Sequence, residues 1–114
     1  MTILAIALGG ALGSVLRHLG VSALGAPWGV AAVNVAGSFA IGALYILLAT
    51  RTALAPVLMT GLLGGFTTFS AFSLELVTLA ERGNLGGAAL YAAVSLAGGV
   101  AGLVGGLALA RTLA

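Results

Sequence analysis

Residues 64–73 combine glycine, threonine, serine and phenylalanine inside an otherwise apolar part of the chain. Glycine, threonine and serine in succession weaken an α-helix, and the hydroxyls compete for backbone partners. Carbonyls freed by a break inside a membrane can hold a hard cation, and freed amides or helix N-termini can face an anion. The segment therefore predicts an ion site at a broken helix. The alternative is an intact helix whose hydroxyls bond back to the preceding turn.

Two aromatic residues of this segment, Phe69 and Phe72, lie three positions apart and share one face on helical geometry. Such a pair usually packs in a core. An aromatic ring also has an electropositive edge, so two edges beside Ser70, Ser73 and Asn34 could accompany a dehydrated anion.

Other polar side chains lie within apolar stretches, where they need partners. The carboxamide of Asn34 predicts either an interhelical hydrogen bond or a donor facing a polar pathway. Glu75 could exchange protons, pair with Arg17 or bond a hydroxyl. Arg17 could also extend to the lipid headgroups. Tyr91 and Ser95, four apart, form one polar stripe.

Four apolar stretches are long enough to position these residues, since a membrane span needs about 20 apolar residues. We expect one four-span, all-α membrane domain over residues 1–114, with the third helix broken in mid-membrane. A cleaved signal peptide is disfavoured because the first arginine comes only at position 17. The predicted spans are residues 3–24, 28–49, 55–79 and 86–110.

Composition supports a membrane protein. Charged residues make up 5% and hydrophobic residues 61% of the chain, whereas a soluble domain carries about 25% charged residues. The four arginines are dispersed and form no patch for nucleic acid. With no cysteine, one histidine and two glutamates, the inventory disfavours an enzyme.

The arginines give almost no preferred orientation. Four spans place both chain termini on one side of the membrane, together with Arg51 and Arg111. Arg17 and Arg82 then lie on the other side. Under the positive-inside rule this near balance predicts insertion in both orientations. The alternative is that the charges are too few to count. Because no internal repeat is evident, an inverted assembly would need a second chain.

Glycines spaced four apart favour close helix packing, because they let backbones approach. The spacing occurs in three predicted spans, at Gly9/Gly13, Gly61/Gly65 and Gly98/Gly102/Gly106.

Three blocks, residues 9–18, 33–39 and 61–75, together resemble the CrcB/Fluc family of fluoride channels. The resemblance covers essentially the whole chain, and the third block is the most specific. It implies an antiparallel, dual-topology homodimer with two fluoride pores and a sodium ion at the dimer centre. It also implies passive, selective export of fluoride across the inner (plasma) membrane.

The resemblance also implies roles for individual residues. Asn34 would be a pore-facing donor, and the ring edges of Phe69 and Phe72 would meet fluoride. Backbone carbonyls of Gly64 and Thr67 would bind sodium, two from each subunit. Ser70 and Glu75 match polar positions that line the pore in span 3. Tyr91 and Ser95 match the row of polar residues in span 4, and Arg17 matches the arginine at the end of span 1. The hydroxyls of Thr68, Ser70 and Ser73 could add donors.

Three single residues and one short stretch depart from the family pattern. His18 stands where tyrosine is common, and residues 29–32, including Val30, lack a threonine common before Asn34. Ala71 replaces a usual threonine, and Gly99 follows Ser95 by one turn without a polar side chain. These departures affect the expected pore rate and exit-side polarity more than the family assignment.

Two other functions compete. A small proton-coupled multidrug or cation exporter would need a membrane-embedded carboxylate, typically in the first span, but span 1 has none. A structural subunit of a larger membrane complex would explain the glycines but not residues 64–73.

Overall fold

The structure, a computed structural model, describes all 114 residues and is entirely helical. We number the helices α1 to α5. Helix α3 is π-helical over Pro56–Leu63 and α-helical over Gly64–Phe66, and α4 continues the same apolar segment. The other bounds are α1 Thr2–Leu24, α2 Trp28–Leu47, α4 Phe69–Glu81 and α5 Leu85–Leu113.

Four segments are long and apolar enough to cross a membrane, which confirms the predicted all-α, four-helix architecture. The ends differ slightly from the predicted spans: α2 stops at Leu47, and the last helix continues to Leu113. The four segments are Thr2–Leu24, Trp28–Leu47, Pro56–Glu81 and Leu85–Leu113.

The turn between α4 and α5 follows from local residue chemistry. Helix α4 ends at Glu81, and Gly83 has a φ of 80°, a left-handed conformation that glycine adopts without a steric penalty. The side-chain oxygen of Asn84 accepts a 2.9 Å hydrogen bond from the amide of Gly87. That bond satisfies one of the free amides at the start of α5.

Backbone contact between helices occurs where the glycine spacing predicted it. A Cβ atom added at Gly13 would collide with the carbonyl oxygen of Leu62, and one at Gly65 with that of Gly10. Helices α1 and α3 therefore meet backbone to backbone.

Helices α2 and α5 make the same kind of contact. A Cβ atom at Gly106 would collide with the carbonyl oxygen of Phe39, and one at Gly42 with that of Leu103. Gly42 was not part of the predicted pattern.

Most apolar side chains lie on the outside of this helix arrangement. Only 15 of the 114 residues are buried, and the central cluster consists of Val30, Ala31, Phe72 and Tyr91. Apolar exposure on this scale fits a lipid or protein surround rather than water.

Candidate functional site

The third apolar segment is interrupted at Thr67 and Thr68. Thr67 has φ −93° and ψ 156°, and Thr68 has φ −154° and ψ 119°. Both residues are extended, so the helix ends at Phe66 and begins again at Phe69. The alternative of an intact helix is therefore wrong, although some hydroxyls do bond back to the preceding turn, as at Thr67 and Ser73.

Asn34 of α2 holds the interruption through two hydrogen bonds to one residue. Its Nδ2 atom donates to the carbonyl oxygen of Thr68 at 2.9 Å, and its Oδ1 atom accepts from the Thr68 amide at 2.7 Å. A carboxamide nitrogen carries two hydrogens, and the chain uses only one of them here. Asn34 thus joins α2 to the interruption and keeps the second hydrogen of its Nδ2 atom free to donate.

Thr68 also begins α4. Its Oγ1 atom accepts a 3.1 Å hydrogen bond from the amide of Ala71, as expected of a helix N-cap. The same Oγ1 atom lies 3.2 Å from Oγ of Ser70. Two hydroxyls are therefore grouped at the first turn of α4.

The carbonyls of Gly64 and Thr67 differ in their surroundings. In a continuous α-helix the Gly64 carbonyl would accept from the amide of Thr68, but that amide donates to Asn34. The Thr67 carbonyl accepts from Nη1 of Arg17 at 3.4 Å. The interruption therefore frees the Gly64 oxygen, and a charged donor from α1 restrains the Thr67 oxygen.

Arg17 and Glu75 do not pair. The guanidinium of Arg17 makes one hydrogen bond within the chain, to the main-chain carbonyl of Thr67, so the possible Arg17–Glu75 ion pair does not form in the single chain. Both residues are half-buried, and the neighbouring His18 is exposed.

Four aromatic rings form a continuous row. The ring centroids of Phe69 and Phe72 are 5.6 Å apart, and those of Phe72 and Tyr91 are 5.4 Å apart. Trp28 meets Tyr91 at 5.5 Å, edge to face. The two phenylalanines are adjacent, as their spacing predicted, but Phe69 is 74% exposed whereas Phe72 is 6% exposed.

A cavity of about 470 Å³ lies between α2, the interruption and α5. It brings together seven of the predicted site residues: Asn34, Gly64, Thr67, Thr68, Phe69, Phe72 and Ser95. The other four, Arg17, Ser70, Glu75 and Tyr91, are not among its lining residues. No lining residue is charged.

Two buried hydroxyls on α5 have no hydrogen-bond partner. Tyr91 is fully buried and Ser95 is 8% exposed, yet neither hydroxyl makes a hydrogen bond of good geometry, although the two lie close enough to interact with each other. Buried polar atoms are nearly always bonded, because an unpaired one costs about 1–3 kcal/mol. The polar stripe predicted for span 4 therefore has unused hydrogen-bonding capacity.

One cavity residue, Ser38, was not predicted as a site residue. It lines the cavity together with Asn34. The two residues are four positions apart on α2, so they share a helix face. That spacing was the signal that could have identified Ser38 from the sequence.

Comparison with known proteins identifies a family and several relatives. The sequence model of the family described as CrcB-like protein, Camphor Resistance (CrcB), matches residues 4–107. A protein of Ruegeria sp. (strain TM1040) is 51% identical over 97% of this chain and 95% of its own length. One from Jannaschia sp. (strain CCS1) is 59% identical over 75% of this chain and 83% of its own length. One from Cereibacter sphaeroides (strain ATCC 17029 / ATH 2.4.9) is 50% identical over 96% of this chain and 94% of its own length.

Each of these three relatives carries the name fluoride-specific ion channel FluC. The family match over residues 4–107 includes part or all of each of the four helical segments that are able to span a membrane. The chain is a multi-pass membrane protein that belongs to the CrcB family.

Proposed function

We propose that this protein is a fluoride-selective channel of the inner (plasma) membrane, through which fluoride leaves the cytoplasm passively. The observation that carries the proposal is the cavity in which Asn34, locked onto Thr68, lies beside Phe69, Phe72 and uncharged hydroxyls. The names of the relatives support transport of this ion rather than catalysis.

The cavity chemistry suits a small, strongly hydrated anion. A selective pore must replace the hydration shell with close donors. The second amide hydrogen of Asn34 and the hydroxyls of Thr68 and Ser95, which all line the cavity, can donate, and the edges of Phe69 and Phe72 offer weak positive potential. Because no charged side chain lines the cavity, an ion that enters is not held by a full opposite charge and can leave.

The runner-up, a proton-coupled multidrug or cation exporter, fits the cavity less well. That chemistry needs a carboxylate in the transport site, and Glu75 is not a lining residue. No cluster of three or more acidic, histidine or cysteine residues exists either.

Flux from liposomes tests the proposed function. Purified protein in vesicles loaded with fluoride should release the ion down its gradient, without a proton gradient, and should release chloride far more slowly. Uptake of a quaternary ammonium compound that depends on a proton gradient, with no fluoride release, would instead establish the exporter.

The proposed channel is an antiparallel homodimer with two pores. Phe69 is largely exposed although it lines the cavity, so in a single chain the aromatic wall is open to the outside. A second, inverted copy would cover it. The interruption would then lie near the bilayer midplane, because eleven helical residues precede it and thirteen follow it within a 26-residue segment.

The balanced arginines predict both orientations in one cell population. A reporter fused to the C-terminus should be detected on both sides of the membrane, because Arg51 and Arg111 are opposed by Arg17 and Arg82. Two lysines added beside Arg51 should shift the population towards one orientation. A single orientation for the unmodified chain contradicts dual topology.

A structural sodium ion is part of the same proposal. Unwound carbonyl oxygens are suitable sodium ligands, and the Gly64 oxygen has lost its helical donor. The Thr67 oxygen has a second lone pair besides the one directed at Arg17. The donor set therefore fits, and two copies would supply four carbonyls that hold the ion between them.

Removal of sodium should abolish fluoride flux, and restoring sodium should recover it. Gly64→Val should weaken the dimer or its flux, because a β-branched residue restricts the backbone whose carbonyl would bind the ion; space is not the obstacle, since a Cβ atom there meets only the Met59 carbonyl oxygen, at 3.7 Å. Thr67→Val is the matched control, since it keeps the carbonyl and removes only a hydroxyl that donates to Leu63. Flux and dimerisation that persist unchanged after thorough exchange of sodium would show that no such ion is required.

A further inference from the structure

The polar stripe of α5 ends at a residue without a side chain. Tyr91, Ser95 and Gly99 follow one another at intervals of four, so they lie on one helix face about 6 Å apart. Ser95 and Gly99 both line the cavity. The face therefore presents two hydroxyls and then a gap.

Helix α2 brings a hydroxyl to that gap. Oγ of Ser38 lies 3.7 Å from the point that a Cβ atom at Gly99 would occupy. This is an ordinary van der Waals distance, and no other atom beyond the adjoining backbone of α5 lies within 4 Å of the same point. The oxygen of Ser38 thus stands beside the position that a polar residue at 99 would fill.

The proton of Ser38 has no partner in the chain. Serine and threonine within helices commonly donate to a carbonyl of the preceding turn. Ser73, Thr78 and Thr112 do so here, whereas Ser38 makes no such bond. Ser95 Oγ, buried on the same cavity wall, likewise makes no hydrogen bond of good geometry, although it lies near the Tyr91 hydroxyl. Two serines from different helices therefore have uncommitted hydroxyls at one cavity.

We propose that Ser38 is an anion-contacting residue, which continues the hydroxyl row of Tyr91 and Ser95 from the opposite helix at the level of Gly99. This inference rests on the proposed function and assigns the next hydrogen-bond donor along the path. An anion moving from Ser95 would meet an O–H group at Ser38 about one helical turn further on. Without that group it would cross an apolar stretch formed by Val100 and Leu103.

Removal of the hydroxyl should slow permeation, and a hydroxyl returned from α5 should restore it. Ser38→Ala should lower fluoride flux about tenfold, the effect of losing one hydrogen bond to a charged group. Ser38→Ala combined with Gly99→Ser should recover flux to within about threefold of the original protein, because the replacement hydroxyl occupies nearly the same place.

Two controls separate hydroxyl chemistry from packing. Ser38→Ala combined with Gly99→Ala adds the same carbon without the oxygen, so flux should stay low. Ser22→Ala makes the same chemical change at an exposed position outside the cavity and should leave flux unchanged. All variants should elute as the original protein does, which shows that folding is intact.

The flux of these variants decides whether the Ser38 hydroxyl contacts the anion. Rescue by serine but not by alanine at position 99 supports the assignment. Ser38→Ala flux within twofold of the original, equal rescue by alanine, or no rescue by serine each overturns it. If the unmodified protein releases no fluoride, the proposed channel function fails first, and that result is distinct from a fluoride-conducting protein that is indifferent to Ser38.

Discussion

Asn34→Asp should reduce fluoride flux on the order of 100-fold. A carboxylate would place a negative charge beside the cavity, and two like charges about 5 Å apart repel by roughly 3 kcal/mol at an effective dielectric constant of 20. One carboxylate oxygen could still accept from the Thr68 amide. The other would face the Thr68 carbonyl, where Asn34 now donates. Liposome flux measures the effect.

Asn34→Ser is the matched comparison, because it removes the carboxamide but keeps one donor and adds no charge. Its flux should fall by about tenfold, the cost of one hydrogen bond to an ion, and so remain above that of Asn34→Asp. Both proteins should first be shown to elute as the original does. Asn34→Asp flux within threefold of the original would contradict a role for Asn34 beside the ion path.

Gly106→Ala should destabilise the protein by about 3 kcal/mol or more, a cost typical of severe overpacking. The added Cβ atom would collide with the carbonyl oxygen of Phe39 and approach the amide of Ala43 at 2.9 Å. These are backbone atoms, so no rotamer change can relieve the collision, and α2 and α5 would have to separate. Thermal unfolding in detergent measures the loss.

Gly86→Ala is the control for Gly106→Ala on the same helix. A Cβ atom at Gly86, in the first turn of α5, meets nothing within 4 Å, and alanine has a higher helix propensity than glycine. This variant should unfold at the same temperature as the original protein or above it. Equal stability of the two variants would show that the helix contact at Gly106 tolerates a side chain.

The sequence predicted the features that depend on local residue chemistry. The helix interruption follows from residues 64–73, the place of the turn before α5 from the boundary between the predicted spans 55–79 and 86–110, and the close helix contacts from glycine spacing. Each of these rests on conformational preference or side-chain size, which can be read along the chain.

The features that were missed depend on which helices become neighbours. Nothing in the sequence around Asn34 specifies both polar atoms of Thr68 as its partners, and nothing near Arg17 specifies the Thr67 carbonyl. The π-helix over Pro56–Leu63 was not anticipated either, because apolar composition does not distinguish it from an α-helix. Ser38 acquires its place at the cavity only when α2 lies against α5.

Backbone contact between helices has a mechanical consequence. A wall packed through side chains can swell when rotamers change, whereas the contacts at Gly13, Gly65 and Gly106 join main chain to main chain and contain no rotamer to adjust. Helices α2 and α5, which both line the cavity, are therefore held at a fixed separation. Helix α1 holds α3 in the same way. Chloride differs from fluoride mainly by its larger radius, and only a wall that cannot yield turns that difference in size into a difference in free energy.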